Sequence, residues 1–185
     1  MLVKTFGSAV FGIDATTITI EVNVSAGIKF FLVGLPDNAV KESHYRIEAA
    51  LKNTGYRLPG KKFIINMAPA DIRKEGSAYD LPLAIGILAA TNQIKSEGIE
   101  DYVIMGELSL DGGVQPIKGT LPIAIQARKE GFKGLIVPKV HAKEAAIVND
   151  IDVYGVDNIE DVTDFFDGQK ELIPTYVDTR KEFFD

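Results

Sequence analysis

The residues that could do chemistry lie between Pro69 and Gln126. Ser77 follows Gly76 in a polar turn, Lys74-Glu75-Gly76-Ser77, that opens an apolar helix. A serine just before a helix N-terminus can use nearby backbone N–H groups as an oxyanion hole. To act as a nucleophile it also needs a base. No Asp–His pair lies near it in sequence, so the base would be a lysine. Lys74, three residues earlier, is expected in solvent. Lys118 sits on the turn Pro116-Ile117-Lys118-Gly119 that leads into the next helix. The same serine suits a purely structural job, capping the helix that starts near Tyr79. A Ser-Lys peptidase using Ser77 and Lys118, a helix cap, and a small-anion site at the Gly76 helix start therefore all stand at this point. Asp71, Glu75 and Asp80 are close enough in sequence to hold a hard cation. Acidic residues placed for the helix dipole explain them equally well.

Several chemistries are excluded outright. The 185-residue chain has no cysteine, so disulfides, zinc-thiolate sites and thiol catalysis are absent. It has only two histidines, His44 and His141, which leaves a multi-histidine metal site without ligands. Neither G-x-x-x-x-G-K-[ST] nor a G-x-G-x-x-G after a strand occurs. Gly112-Gly113 and Lys118-Gly119 read as turns too short to cradle a triphosphate. Net charge is −6 and the pI is near 5.0, which argues against this chain alone gripping a phosphate backbone. The charge is uneven, however. Arg57, Lys61 and Lys62 fall within a mildly basic stretch from 41 to 74, and acids dominate from Asp150 onward. The basic stretch reads as solvated helix and turn surface, or as a face that touches DNA when copies assemble. No apolar run approaches a membrane span, and the first residues lack the pattern of a signal peptide. A cytoplasmic location is the simplest expectation.

The elements that must position these residues follow from periodicity. Residues 2–11, 13–26 and 29–33 read as three strands joined by short turns, an antiparallel meander. The middle one alternates Ile18, Ile20, Val22 and Val24 with Thr19, Glu21 and Asn23. Asp37 opens a helix as N-cap or first-turn acid, with Val40, His44, Ile47 and Leu51 on one face and Gly55 at its end. His44 is expected to pack on or beside that stripe. Residues 63–67 form a nearly continuous apolar strand, as in a sheet interior. An apolar helix follows over 79–93, with Pro82 in its first turn where a missing N–H costs little. Beyond residue 100 the pattern is β-β-α-β-α-β-α: a strand at 102–105, a short strand turning at Asp111-Gly112-Gly113, and a helix over 120–129. A strand at 135–138, a helix over 141–148, a strand at 151–156 and a helix capped by Asn158 complete it. These predict one α/β domain over 1–167 and a linker or tail over 168–185.

The order of motifs resembles a known family. Phe11-Gly12-Ile13-Asp14-Ala15, Leu32-Val33-Gly34-Leu35-Pro36-Asp37, Val40-Lys41-Glu42-Ser43, Arg46 and Asn66-Met67-Ala68-Pro69-Ala70-Asp71 carry its first half. Lys74-Glu75-Gly76-Ser77-Ala78-Tyr79-Asp80-Leu81 and Gly106-Glu107-Leu108-Ser109-Leu110-Asp111-Gly112 carry its second. Together they are similar to the N-terminal domain of magnesium-chelatase-like AAA+ ATPases, the competence-associated ComM (YifB) proteins. The resemblance implies a ribosomal protein S5 domain 2-like fold, akin to the proteolytic domain of Lon, with a mixed sheet packed by helices. It implies that an ATPase domain carrying ATP and Mg2+ follows residue 185, with no cofactor or metal in this chain. It also implies a ring-forming homo-oligomer that moves DNA during recombination and natural transformation, and nothing in the motifs supports porphyrin chemistry.

The likeness to Lon bears on the serine. Lon proteases place a lysine base after a Gly-Glu strand and a Pro-Ile-Gly-Gly-Leu turn. The segment from Gly106-Glu107 through Pro116-Ile117-Lys118-Gly119-Thr120 matches without gaps, and the lysine position falls on Leu121, which cannot accept a proton. The serine position falls near Tyr79 counting back from Gly106, or on Ser77 through the match at Lys74-Glu75-Gly76. The resemblance therefore implies a noncatalytic domain, unless Lys118 swings across to Ser77.

Overall fold

The computed structural model describes residues 1–74 and 76–178. It begins with a long hairpin. β1 (Leu2–Phe11) and β2 (Asp14–Ser25) pair antiparallel from Leu2↔Asn23 to Phe11↔Asp14. The two-residue turn Gly12-Ile13 closes it, with Gly12 at φ 61°, the twist a tight hairpin needs. Alternation does what period two predicts: Ile18, Ile20 and Val22 are fully buried while Thr19 and Glu21 are half-buried on the other face.

The meander reading fails at the third strand. β3 (Lys29–Val33) pairs in parallel with β4 (Lys62–Ala68), and β4 lies antiparallel against β2. The helix α1 (Asp37–Asn53) makes the crossover that this parallel pair requires. Burial explains the choice. Met67 and Ile65 fall opposite Ile20 and Val22, extending one apolar face, and Phe63, Ile65 and Met67 are buried. β3, with a more exposed set of side chains, is left at the edge. β4 is also less uniformly buried than its apolar run suggested. Ile64 points to the other face and is 40% exposed.

The remaining elements follow the expected order. They are α2 (Asp80–Ala90), β5 (Tyr102–Ile104), β6 (Glu107–Leu108), β7 (Val114–Gln115), α3 (Thr120–Lys129), β8 (Gly134–Pro138), α4 (Ala142–Ala145), β9 (Asp152–Val156) and α5 (Ile159–Phe166). The seven-stranded sheet runs β3-β4-β2-β1-β5-β8-β9, with β6 and β7 as a separate ribbon. The sheet is mixed, so the α/β class and the mixed sheet packed by helices are as anticipated. α2 stops at Ala90 rather than Gln93, and the helix expected over 141–148 is one short turn, α4, after a 3-10 turn at 139–141.

α2 is the centre of the core, with every residue buried. It lies across β1 and β2, and it gets that close through Gly86. A Cβ there would sit 2.8 Å from the Val22 Cγ2 atom. α3 covers the opposite face, where Phe132, just beyond it, meets Phe6 edge-on at 5.2 Å. Past α5, residues 168–178 form no helix or strand, and the Thr175 N–H donates to the Val153 carbonyl of β9 at 2.7 Å. No helix among the described residues is long and apolar enough to cross a membrane.

Candidate functional site

The start of α2 is held by charge. Asp80, its first residue, is fully buried and sits among donors. Its carboxylate accepts from Arg46 Nε at 2.6 Å and Nη2 at 3.2 Å, from Ser43 Oγ at 2.9 Å, and from the Leu108 N–H at 3.1 Å. Burial pushes the Asp80 carboxyl up, and the Arg46 guanidinium, the Leu108 N–H and Ser43 pull it back. Asp80 in turn raises Arg46, chiefly through the hydrogen bond between them. Backbone bonds add to this clamp. The Gly106 N–H donates to the Ala78 carbonyl at 2.8 Å, and the Leu81 N–H donates to the Gly106 carbonyl at 3.0 Å. Gly106 has no room for a side chain, since a Cβ would lie 2.7 Å from Val114 Cγ1.

These bonds fix the turn that carries Ser77. Ser77 is half-buried and does not cap α2 with its hydroxyl, contrary to the capping reading. Only its carbonyl takes part, accepting from the Asp80 N–H at 3.1 Å. The helix needs no serine cap because Asp80 and Gly106 already secure its first turn. Ser77 and Lys118 line the same cavity of about 570 Å³, together with Arg73, Tyr79, Met105 and Ser8–Phe11 of β1. Gly76 and Ser77 also line a second cavity of about 400 Å³ beside Pro36, Glu42, Arg46 and Glu107. Lys118 is exposed, and no hydrogen bond joins it to Ser77 among the described residues. Leu121 packs partly buried against the core.

Lys74 is not the solvated residue expected. It is 2% exposed, and its ammonium donates to the carbonyls of Pro69 at 2.6 Å and Ile72 at 2.9 Å. Burial pulls its pKa down, with Asp71 opposing. The loop curls around this ammonium because its carbonyls have no strand or helix to pair with. Asp71 is exposed, and Asp80 spends both oxygens on Arg46, Ser43 and Leu108, so these two do not converge on a cation. Glu75 lies outside the described residues. Among those described, no group of three or more potential metal ligands forms.

Most other motif residues have structural work. Gly34, at φ 109°, brings the β3–α1 turn against β4, where a Cβ would fall 2.5 Å from the Met67 carbonyl. Pro36 precedes the first turn of α1 and Asp37 occupies it as an acid, without a side-chain cap. Asn66 donates to Glu21 at 3.1 Å on the outer face of the sheet. Gly112 packs into α1 and α5: a Cβ would sit 2.5 Å from Thr54 Cγ2 and 3.2 Å from Ile159 Cγ2. Asp111 is held below the usual carboxylate range by Ser109 and the Gly113 N–H. The glycine turn is thus packed against the end of α1 and the start of α5. Arg57 and Lys61 are exposed on the turn between α1 and β4, and Lys62 begins β4 half-buried. His44 stacks on Phe30 with ring centres 4.2 Å apart, the rim position anticipated.

Two participants carried no role read from the sequence. Ser43 belongs to the Asp80 clamp, and its hint was position: with Ile47 and Ala50 it lies on the buried face of α1, which is rotated slightly from the stripe drawn through His44. His141 accepts from the Ile117 N–H at 3.1 Å and so anchors the turn that carries Lys118. No local pattern marks such a histidine.

The comparisons with known proteins agree with this architecture. The family model described as subunit ChlI of Mg-chelatase matches residues 20–141. This chain belongs to that family. The competence protein ComM of Haemophilus influenzae is 40% identical over 168 residues, which cover 90% of this chain and 33% of that protein. YifB of Escherichia coli is 39% identical over 165 residues, 89% of this chain and 32% of YifB. Lon protease 2 of Bacillus subtilis is more distant, 29% identical over 148 residues, 77% of this chain and 26% of that protease. The chain spans about a third of the length of the ComM and YifB relatives.

Proposed function

We propose that this chain is a noncatalytic, Lon-like domain of a magnesium-chelatase-like AAA+ ATPase, serving ring assembly and recognition of DNA or a protein partner. ATP and Mg2+ belong to the part of such a protein that this chain, spanning about a third of the ComM and YifB relatives, does not cover. What supports this reading is Leu121, which the likeness to Lon implies at the position of the base and which is partly buried against the core, where it takes no proton. The purified chain is expected to turn over no ATP and to cleave no casein, and Ser77→Ala is expected to change neither result. ATP turnover by the chain would overturn the division of labour. Casein cleavage that disappears in Ser77→Ala would instead establish the Ser-Lys peptidase, whose support is that Ser77 and Lys118 share one cavity.

DNA binding is assigned to Arg57, Lys61 and Lys62. Each cation that neutralises a phosphate contributes about 0.9 to the salt slope of log K. Neutralising all three in the full-length protein is expected to flatten that slope by about 2 to 3. An unchanged slope removes these residues from the DNA interface.

A further inference from the structure

The larger cavity has an unusual wall. In the β1–β2 hairpin the Met1 and Val24 backbones exchange two hydrogen bonds, Val24 N–H to Met1 at 3.1 Å and the Met1 amine to Val24 at 3.0 Å. Alternation along the ladder then points the backbone groups of odd residues in β1 at β2 and those of even residues at the other side. On that other side β5 pairs with β1 only at Phe6↔Val103. Beyond it the chains diverge, because Met105 turns to the Ile136 carbonyl and Gly106 to Ala78. The Ser8 N–H is left with the Met105 sulfur at 3.3 Å, a weak acceptor. Val10 meets no backbone partner on this flank among the described residues.

β1 therefore runs on for Ser8–Phe11 as a half-paired strand, and that stretch lines the cavity. Four residues of strand span about 13 Å. Facing it, the turn 116–118 stands off, anchored by His141 to the Ile117 N–H. Tyr79 and Met105 supply an apolar lining between them, and Lys118 stands exposed at the rim with Arg73 nearby on the same cavity. A strand with unused donors and acceptors, a gap beside it and a cationic rim is the arrangement that binds extended peptide by strand addition.

We infer that this cavity binds an extended peptide segment of a partner protein, about four residues long, which adds to the free flank of β1 at Ser8 and Val10 and carries a carboxylate to Lys118. This rests on the partner-recognition part of the proposed function and is independent of DNA binding. The peptide's own N–H and C=O groups replace the missing β5 pairing, its alternate side chains fall on Tyr79 and Met105, and Lys118 favours an acidic residue.

The test uses the 185-residue chain and a random-sequence heptapeptide pool with a free C-terminal aspartate. Peptides retained by the chain are resynthesised with alternate amides N-methylated, in both registers. The expected result is a loss of affinity of about tenfold in one register and little change in the other, because only one set of amides faces β1. Lys118→Glu weakens binding by about threefold or more while leaving the folded spectrum unchanged. Hydrogen exchange at the Val10 amide slows when peptide is added. A pool from which nothing is retained overturns the inference. So does binding indifferent to N-methylation in both registers, or to Lys118→Glu, or an unchanged Val10 amide. None of these outcomes touches the salt slope of the full-length protein on DNA, so failure here and failure of the DNA assignment are distinguishable.

Discussion

Replacing Arg46 by alanine removes two of the four donors on a fully buried carboxylate. Breaking a buried ion pair by deleting one partner costs about 3–5 kcal/mol. Arg46 is 22% exposed, so water reaches the vacated space, and Ser43 and the Leu108 N–H stay on Asp80. The loss should fall near the lower end, about 3 kcal/mol. For a domain of this size that lowers Tm by roughly 6–12 °C. The pH dependence separates this cause from simple loss of packing. Asp80 already holds its proton more tightly in the folded state, because burial raises it. Stability therefore falls as pH rises through the window between the ordinary and the raised carboxyl pKa. Without Arg46 that window extends higher. The Arg46→Ala deficit is thus greatest at neutral pH and shrinks as pH falls into the ordinary carboxylate range, where Asp80 is protonated in both proteins. Urea unfolding followed by circular dichroism at several pH values measures it. A cycle with Asp80→Asn should give a coupling of about 1–3 kcal/mol. A deficit under about 0.5 kcal/mol, within the range of an ordinary surface substitution, or one that does not change with pH, would refute the electrostatic account of the clamp.

Two other substitutions test the frame around the site. Gly112→Ala combines φ 92° with a Cβ 2.5 Å from Thr54 Cγ2, and Thr54 cannot swing away because its hydroxyl donates to the Ala50 and Leu51 carbonyls. The backbone alone costs about 1–3 kcal/mol, so unfolding in urea should show at least that loss, and a neutral result would mean that the turn moves freely. Asn158→Ala removes the cap that accepts from the Asp161 N–H at 3.0 Å. It should cost about 1 kcal/mol, read as a Tm drop of roughly 2–4 °C.

Local signals in the chain predicted what local physics decides. The alternation in β2, the apolar run of α2, the Asn158 cap and the Asp111-Gly112-Gly113 turn all hold, because each depends on residues within one element. The position of β3 does not. Lys29–Val33 has a strand's composition, but its neighbour was decided by which strand could continue the Ile20 and Val22 face, and β4 did so better. Lys74 misled for a related reason. A lysine in a polar turn is expected in water, yet the loop's unpaired Pro69 and Ile72 carbonyls drew it in. The Asp80 clamp was not legible as such, since Ser43, Arg46 and Leu108 stood only in motifs, Asp80 read as a cation ligand or helix-dipole acid, and the packing of α1, α2 and β6 brings the four together.

The same clamp bears on why the cavity is suited to holding a ligand. Ser77 sits one turn before a helix start fixed by Asp80 and by the paired backbones of Ala78, Gly106 and Leu81. Across the gap, His141 fixes the turn at Ile117. Both walls are therefore set by buried or bonded groups before any ligand arrives, and little ordering cost remains for binding. Catalysis would require in addition a base within hydrogen-bond reach of the serine. Leu121 fills the position where the Lon likeness implies that base, and Lys118 lies exposed on the rim, carrying a charge that attracts a carboxylate. Ser77→Ala and Lys118→Glu therefore act on separate properties. On this reasoning the first leaves peptide affinity within about twofold, since a half-buried hydroxyl that bonds nothing among the described residues contributes little. The second lowers it. Equal losses from both would mean that the serine itself holds the ligand, and would return the cavity to the chemistry that Leu121 argues against.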